Sequence, residues 1–112
     1  MKIEINGLKW VVNATKRDTG ALIPTENGDV RLGVTKYREL EIHIDERMPY
    51  ELFRRTVIHE LIHAYTFSFG YHLYCTDTDE EPICDFISAH IDEIVNDTEI
   101  IMKNIYKGDE VL

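Results

Sequence analysis

The sequence predicts an α+β domain in which a small antiparallel or mixed sheet of three or four strands precedes two long helices. Segments within residues 1–45 alternate apolar and polar residues as half-buried strands do, whereas apolar residues recur three or four apart over 49–68 and 80–105. A chain of 112 residues with 44% hydrophobic residues has the size of one domain. We therefore expect a single domain over residues 1–112, with the sheet packed on both helices.

The predicted sheet begins with a β-hairpin. Residues 2–5 and 8–13 flank Asn6-Gly7, a dipeptide that suits a type I′ turn because both central positions of that turn need a positive φ. Trp10, the single tryptophan, lies on the returning strand and is predicted to belong to the core.

A loop and two more strands are predicted after the hairpin. Residues 14–29 are rich in turn-forming residues and are expected to form the loop, with a brief extended piece at 21–23. The two strands cover 30–36 and 39–45. His43 is expected to be an exposed strand histidine outside any functional site.

The first predicted helix spans residues 49–68. Pro49 suits the first turn, where its missing N–H costs little, and Gly70 ends the helix. The apolar stripe is so broad that we expect the helix, including its two histidines, to be buried on most sides, and a buried histidine without a partner is costly. The stripe contains Leu52, Phe53, Thr56, Val57, Leu61, Ala64 and Phe67.

The second predicted helix spans residues 80–105. Thr78 or Asp79 is expected to cap it, and Glu80 and Glu81 suit its first turn. Cys84 is expected to be a small buried hydrophobic residue. The apolar side is predicted to consist of Ile83, Ile87, Ile91, Ile94, Ile101 and Ile105.

Composition excludes several classes of function. A formal charge of −9 argues against nucleic-acid binding through a basic surface. The residues after Met1 lack the apolar segment of a signal peptide, and no apolar run approaches the ~20 residues of a membrane span. Cys75 and Cys84 are expected to be free thiols. We therefore expect a cytoplasmic protein without nucleic-acid or membrane partners, whose oligomeric state the sequence leaves open.

The motif His59-Glu60-Leu61-Ile62-His63 carries the predicted chemistry. In a helix, residues four apart share a face, so His59 and His63 can bind one Zn²⁺ through their imidazole rings. Glu60 then lies beside the metal, where it can act as the general base for a metal-activated water. The bare motif also arises by chance, so the rest of the chain must support it.

The second helix offers a third metal ligand. Catalytic zinc usually has three protein ligands and an open position, and Glu81 follows His63 at a distance that allows a loop and a returning helix. Asp85, one turn further, can accept a hydrogen bond from a ligand histidine. Other candidates for the third ligand remain: Glu80, Cys75, His72 and Asp85 itself.

His59-Glu60-x-x-His63 followed by Glu81-x-x-x-Asp85 resembles the gluzincin pattern of zinc metallopeptidases. Residues 56–64 and 81–87 look like the small bacterial and phage metallopeptidases related to the ImmA/IrrE family. The resemblance covers roughly residues 31–92 and includes the strand around Gly33. Pro82, which follows the expected third ligand, departs from the pattern.

The resemblance implies a minimal zincin-like fold and a zinc-dependent peptidase. His59, His63 and Glu81 would be the zinc ligands, Glu60 the catalytic base and Asp85 a residue that orients a ligand. The substrate would be a protein or peptide, such as a repressor cleaved by a regulatory protease. Independently of the resemblance, Tyr71, His72 and Tyr74 are candidates for the second donor to the oxyanion, with packing or surface positions as the alternative for each, and an edge strand within 31–36 or 39–45 could bind substrate by strand addition.

Two other functions remain open at this point. The chain could be a non-catalytic, zinc-containing module that binds a regulatory protein, because 112 residues leave little material for a deep cleft. The histidines could also be purely structural, with no metal bound.

Overall fold

The protein is described by a computed structural model over residues 1–71 and 80–108. Four strands, β1 (Lys2–Ile5), β2 (Leu8–Thr15), β3 (Gly33–Lys36) and β4 (Glu41–Asp45), precede two long helices, α1 (Tyr50–Ser68) and α2 (Glu80–Ile105). The predicted α+β class is confirmed, and both helices lie within a residue of their expected bounds. The expected cap of α2 at Thr78 or Asp79 lies outside the described residues.

The sheet is mixed, with the strand order β1-β2-β4-β3. β1 and β2 form an antiparallel hairpin, β3 and β4 are also antiparallel, and β2 runs parallel to β4. β3 therefore forms one edge of the described sheet, and it packs against α1. This arrangement places the edge strand beside the helix that carries the His59–His63 motif.

The turn of the first hairpin is as predicted. Asn6 and Gly7 have φ values of 47° and 84°, the left-handed conformation that a type I′ turn requires. Trp10 is fully buried, and its indole Nε1 donates a hydrogen bond of 2.9 Å to Oγ of Ser68 at the end of α1. The side-chain amide of Asn6 donates to the carbonyl of the same serine at 3.0 Å. The hairpin thus fixes the C-terminal end of α1.

Four details of the predicted strands and loop are wrong. The strand expected at 8–13 continues to Thr15, so the loop begins at residue 16 rather than 14. The strand expected at 30–36 begins only at Gly33, and the one expected at 39–45 begins at Glu41 because residues 37–40 form a turn with Leu40 at φ 55°. The piece expected to be extended at 21–23 is instead part of a short 3-10 helix, Gly20–Leu22. Leu22 is fully buried there, so the loop contributes to the core.

One hydrophobic core joins the sheet to both helices. The strands contribute Trp10 and Val12 from β2 and Ile42 and Ile44 from β4, which share one face of the sheet. The helices contribute Phe53, Val57, Leu61 and Ala64 from α1 and Ile94, Ile101 and Met102 from α2.

The N-terminal half of α2 is less buried than its sequence predicts. Ile83 and Ile91 are 36% and 38% exposed, and Cys84 is exposed rather than buried. The prediction failed because helical periodicity identifies an apolar face but not how far along the helix another element covers it. No helix of the described residues is long and apolar enough to cross a membrane.

Candidate metal centre

Helix α1 presents His59 and His63 together on its exposed side. The centroids of the two rings are 5.0 Å apart, as expected for positions one helical turn apart. The side chain of His59 is 67% exposed, and His63 is exposed as well. The expectation that both histidines are buried is therefore wrong, because the buried face of α1 is narrower than its run of apolar residues. Two imidazoles remain accessible to an ion from solvent.

Glu60 lies between the histidines in sequence but points toward the protein. Its relative exposure is 6%, and its Oε2 lies 3.9 Å from Nε2 of His59. The hydroxyl of Thr35 on β3 donates a hydrogen bond of 2.8 Å to Oε1 of Glu60. The carboxylate is therefore held by the edge strand on one oxygen, while the other oxygen faces the His59 ring.

Tyr37 supports His63 from the turn that follows β3. Its hydroxyl lies 3.3 Å from Nδ1 of His63, and its ring stacks on Phe67 with centroids 5.0 Å apart. When Nδ1 carries the proton and donates it to the tyrosine oxygen, Nε2 of His63 is left with its lone pair. Burial, and secondarily the charge of Glu60, raises the pKa of Tyr37, so this phenol stays neutral at physiological pH.

The close approach of β3 to α1 depends on Gly33. A Cβ atom at this position would lie 2.8 Å from Cγ2 of Thr56 and 3.0 Å from Cγ of Glu60, which is too close for carbon atoms. Only glycine lets the edge strand come within hydrogen-bonding distance of the Glu60 carboxylate without displacing α1.

Sequence reasoning did not identify Thr35 or Tyr37 as site residues. Thr35 is 25 residues from Glu60 and Tyr37 is 26 residues from His63. No spacing rule links such pairs, because their contact depends on how the sheet edge lies against α1. His43, in contrast, lies outside the motif, but the prediction that it is exposed is wrong: its side chain is only 15% exposed, because its ring contacts Thr15 and Glu41 at 2.9 and 3.0 Å.

The expected third ligand, Glu81, stays a prediction. Glu81 and Asp85 are exposed on α2, and no group of three or more potential metal-binding side chains is found among residues 1–71 and 80–108. Cys75 and His72, two alternative ligands, lie outside the described residues. The two imidazole rings that lie together on α1 suit zinc in chemical type.

Of the expected oxyanion donors, only Tyr71 belongs to the described part of the chain. It is half-buried, and its ring lies 4.6 Å from that of Phe86 on α2. His72 and Tyr74 lie outside the described residues.

A cavity of about 510 Å³ opens beside Glu60. Residues 30–33, which lead into β3, form one wall, and the first half of α1 forms the other. His59 and Glu60 are among the residues that line this cavity, so it adjoins the candidate reaction centre.

Comparisons of the chain with protein-family models, with curated proteins and with solved structures find no match. The function must therefore be inferred from the residues and their geometry.

Proposed function

We propose that this protein is a zinc-dependent metallopeptidase that hydrolyses a peptide bond of a protein substrate. The observation that carries the proposal is the position of Glu60: a largely buried carboxylate, held by Thr35, faces the ring of an exposed histidine whose partner His63 lies one turn away. If the motif had arisen by chance, we would not expect its glutamate to lie in this position.

Zinc, when bound by His59 and His63, would lower the pKa of a bound water toward 7 and polarise the peptide carbonyl. Glu60 would accept the proton of the attacking water on Oε2, the oxygen that faces His59, and later transfer it to the leaving amine. Thr35 would hold the other oxygen and so orient the carboxylate. Tyr37 would fix the orientation of His63 by contact with its Nδ1.

Glu81 remains our proposed third ligand, with Asp85 as a residue that orients a ligand histidine. The proposal rests on sequence spacing and on the resemblance to gluzincins. If the substrate binds to the sheet as in zincins, it would add a strand along β3, which lies at the sheet edge. A regulatory protein such as a repressor is the kind of substrate that the resemblance implies.

Metal analysis of the purified chain, combined with cleavage of labelled casein, tests the proposal. We expect about one zinc per chain, loss of zinc in His59→Ala and His63→Ala, and retained zinc with loss of cleavage in Glu60→Gln. His43→Ala is the matched control, because this histidine lies away from the motif. Equal cleavage by the wild type and Glu60→Gln would refute the proposed mechanism.

A non-catalytic, zinc-containing binding module is the second candidate. The size of the domain favours it, because 112 residues leave little material for a deep specificity cleft. In that case zinc would bind, no peptide would be cleaved, and the biological effect of the protein would persist in Glu60→Gln.

A further inference from the structure

The cavity beside Glu60 is lined by more basic than acidic side chains, unlike the protein as a whole. The chain carries 21 acidic and 12 basic residues, yet two arginines, Arg31 and Arg55, line the cavity. Arg31 lies just before β3, and Arg55 lies one helical turn before His59 on α1. Both walls of the cavity therefore contribute a guanidinium.

Neither arginine makes an ion pair or a side-chain hydrogen bond within the described part of the chain, and both are exposed. Arg17 is paired with Asp45 at 2.7 Å and Arg54 with Glu99 at 2.8 Å, whereas the exposed Arg38, outside the cavity, has no such partner within the described residues. Acidic residues outnumber basic ones, yet both guanidinium groups on this cavity lack a carboxylate partner in the described part of the chain.

Apart from the arginines and the polar Thr56, His59 and Glu60, the lining is apolar. Val30 is 61% exposed and Leu52 is 37% exposed, and both belong to the cavity wall. Apolar walls with a few charged groups are typical of small-molecule and side-chain pockets. A guanidinium binds a carboxylate with two parallel hydrogen bonds, a geometry that a neutral amide cannot match.

We propose that this cavity is a substrate pocket that binds a carboxylate next to the peptide bond to be cleaved, through Arg31 and Arg55. The interpretation as a substrate pocket rests on the proposed peptidase function, whereas the binding of a carboxylate does not. The carboxylate can come from a Glu or Asp side chain or from the C-terminus of the substrate. Because the Glu60 carboxylate lines the same cavity and would repel a second carboxylate, we expect the bound carboxylate to contact the guanidinium groups rather than Glu60.

An NMR titration of the full-length, zinc-supplied protein with three tetrapeptides tests the proposal. The first peptide, Ac-Ala-Ala-Glu-Ala-NH2, carries a side-chain carboxylate, and the second, Ac-Ala-Ala-Gln-Ala-OH, carries a terminal one. The third, Ac-Ala-Ala-Gln-Ala-NH2, is neutral. We expect saturable shifts of the Gly33 and Thr56 amide signals with at least one charged peptide, and binding weaker by roughly fivefold or more for the neutral peptide, about 1 kcal/mol.

The variants Arg31→Gln and Arg55→Gln are expected to lose this preference, and Arg38→Gln, an exposed arginine that does not line the cavity, is expected to keep it. The dispersion of the amide spectrum shows that each variant is folded. Equal shifts with the neutral peptide, no saturable shift, or a preference that survives in both cavity variants would overturn the proposal. The last result would place the carboxylate on the metal.

The same samples separate this proposal from the proposed function, because cleavage adds new peptide signals to the spectrum. Arginine-dependent binding without cleavage by the zinc-loaded protein supports the carboxylate pocket and counts against the peptidase. Cleavage with no preference for a carboxylate supports the peptidase and overturns the pocket.

Discussion

At the scale of single residues, Thr35 has the closest structural link to the proposed chemistry. Its hydroxyl donates a hydrogen bond to the carboxylate of Glu60, the proposed general base. We predict that Thr35→Val lowers kcat about 10- to 150-fold, since a hydrogen bond to a charged group contributes roughly 1.5–3 kcal/mol. KM should change little, because Thr35 positions the base rather than the substrate.

Thr35→Ser is the matched control for this prediction, because it keeps the hydroxyl and should restore kcat. A kinetic comparison of the three proteins with one peptide substrate is the measurement. If Thr35→Ser, which keeps the hydroxyl, lowered kcat as much as Thr35→Val, the hydroxyl would not account for the effect and the hydrogen bond would not be what positions Glu60.

Gly33 gives a second prediction at this scale. Gly33→Ala would place a Cβ atom 2.8 Å from Cγ2 of Thr56, so the edge strand or α1 must shift. Overpacking of this kind costs about 1–3 kcal/mol, and we expect such a loss in urea denaturation. Adding Thr56→Ser removes that methyl group but keeps the hydroxyl that donates to Leu52, so the double variant should recover part of the loss. A loss in the double variant as large as that in Gly33→Ala would contradict this reason.

The residues of the candidate site differ in how far the sequence predicts them. The shared face of His59 and His63 follows from helical periodicity, which is local, and the structure places their rings 5.0 Å apart. The burial of Glu60 and its contact with Thr35 depend on the position of the sheet edge, which no local pattern encodes. The predicted burial of the two histidines was wrong for the same reason. The apolar residues of α1 predicted it, but packing against other elements decides which side of the helix is covered.

At the scale of elements, the end of α1 is tied to the first hairpin by Ser68. The buried Nε1 of Trp10 donates to its hydroxyl. Ser68→Ala would leave this donor unsatisfied, so we predict a loss of about 1–3 kcal/mol in the free energy of unfolding. Ser88→Ala is the control, because the exposed Ser88 bonds only the preceding turn of α2, and it should change stability by less than about 0.5 kcal/mol. Similar stability of the two variants would show that Ser68 does not hold the hairpin to α1.

The packing of α1 on α2 gives a prediction of pH dependence. Burial, and secondarily the charge of Glu93, raises the pKa of Asp97 on α2, although a hydrogen bond from Tyr65 of α1 opposes this rise. The folded state therefore favours the protonated carboxyl. Its contribution to stability is present below the unfolded pKa of Asp97 and is lost as pH rises through the folded pKa.

We therefore expect wild-type protein to lose stability relative to Asp97→Asn as the pH is raised from about 3 to 7, in urea denaturation at several pH values. Removing the opposing hydrogen bond in Tyr65→Phe should raise the pKa of Asp97 further, which NMR titration of its carboxyl carbon can measure. A pKa for Asp97 at or below its ordinary value would contradict the prediction.

At the scale of the whole molecule, the order of elements was predictable and the strand arrangement was not. Alternation and helical spacing predicted four strands followed by two helices, because these patterns lie within each segment. The parallel pairing of β2 with β4, which makes β3 the edge strand beside α1, joins segments that are far apart in the chain. The position of the candidate site at that edge is a consequence of this pairing.

The core and the candidate metal centre are separate parts of the molecule, and this separation predicts how metal removal acts. The core joins the sheet to both helices through residues such as Trp10 and Leu61, whereas His59 and His63 lie on the exposed side of α1. Chelation with EDTA should therefore leave the far-ultraviolet circular dichroism unchanged but lower Tm. At free zinc near 100 times its Kd, binding adds about 2.7 kcal/mol, or roughly 10 °C for a domain of this size. His59→Ala should show no rise in Tm with zinc, and unfolding of the wild type by EDTA would mean that the metal is part of the core.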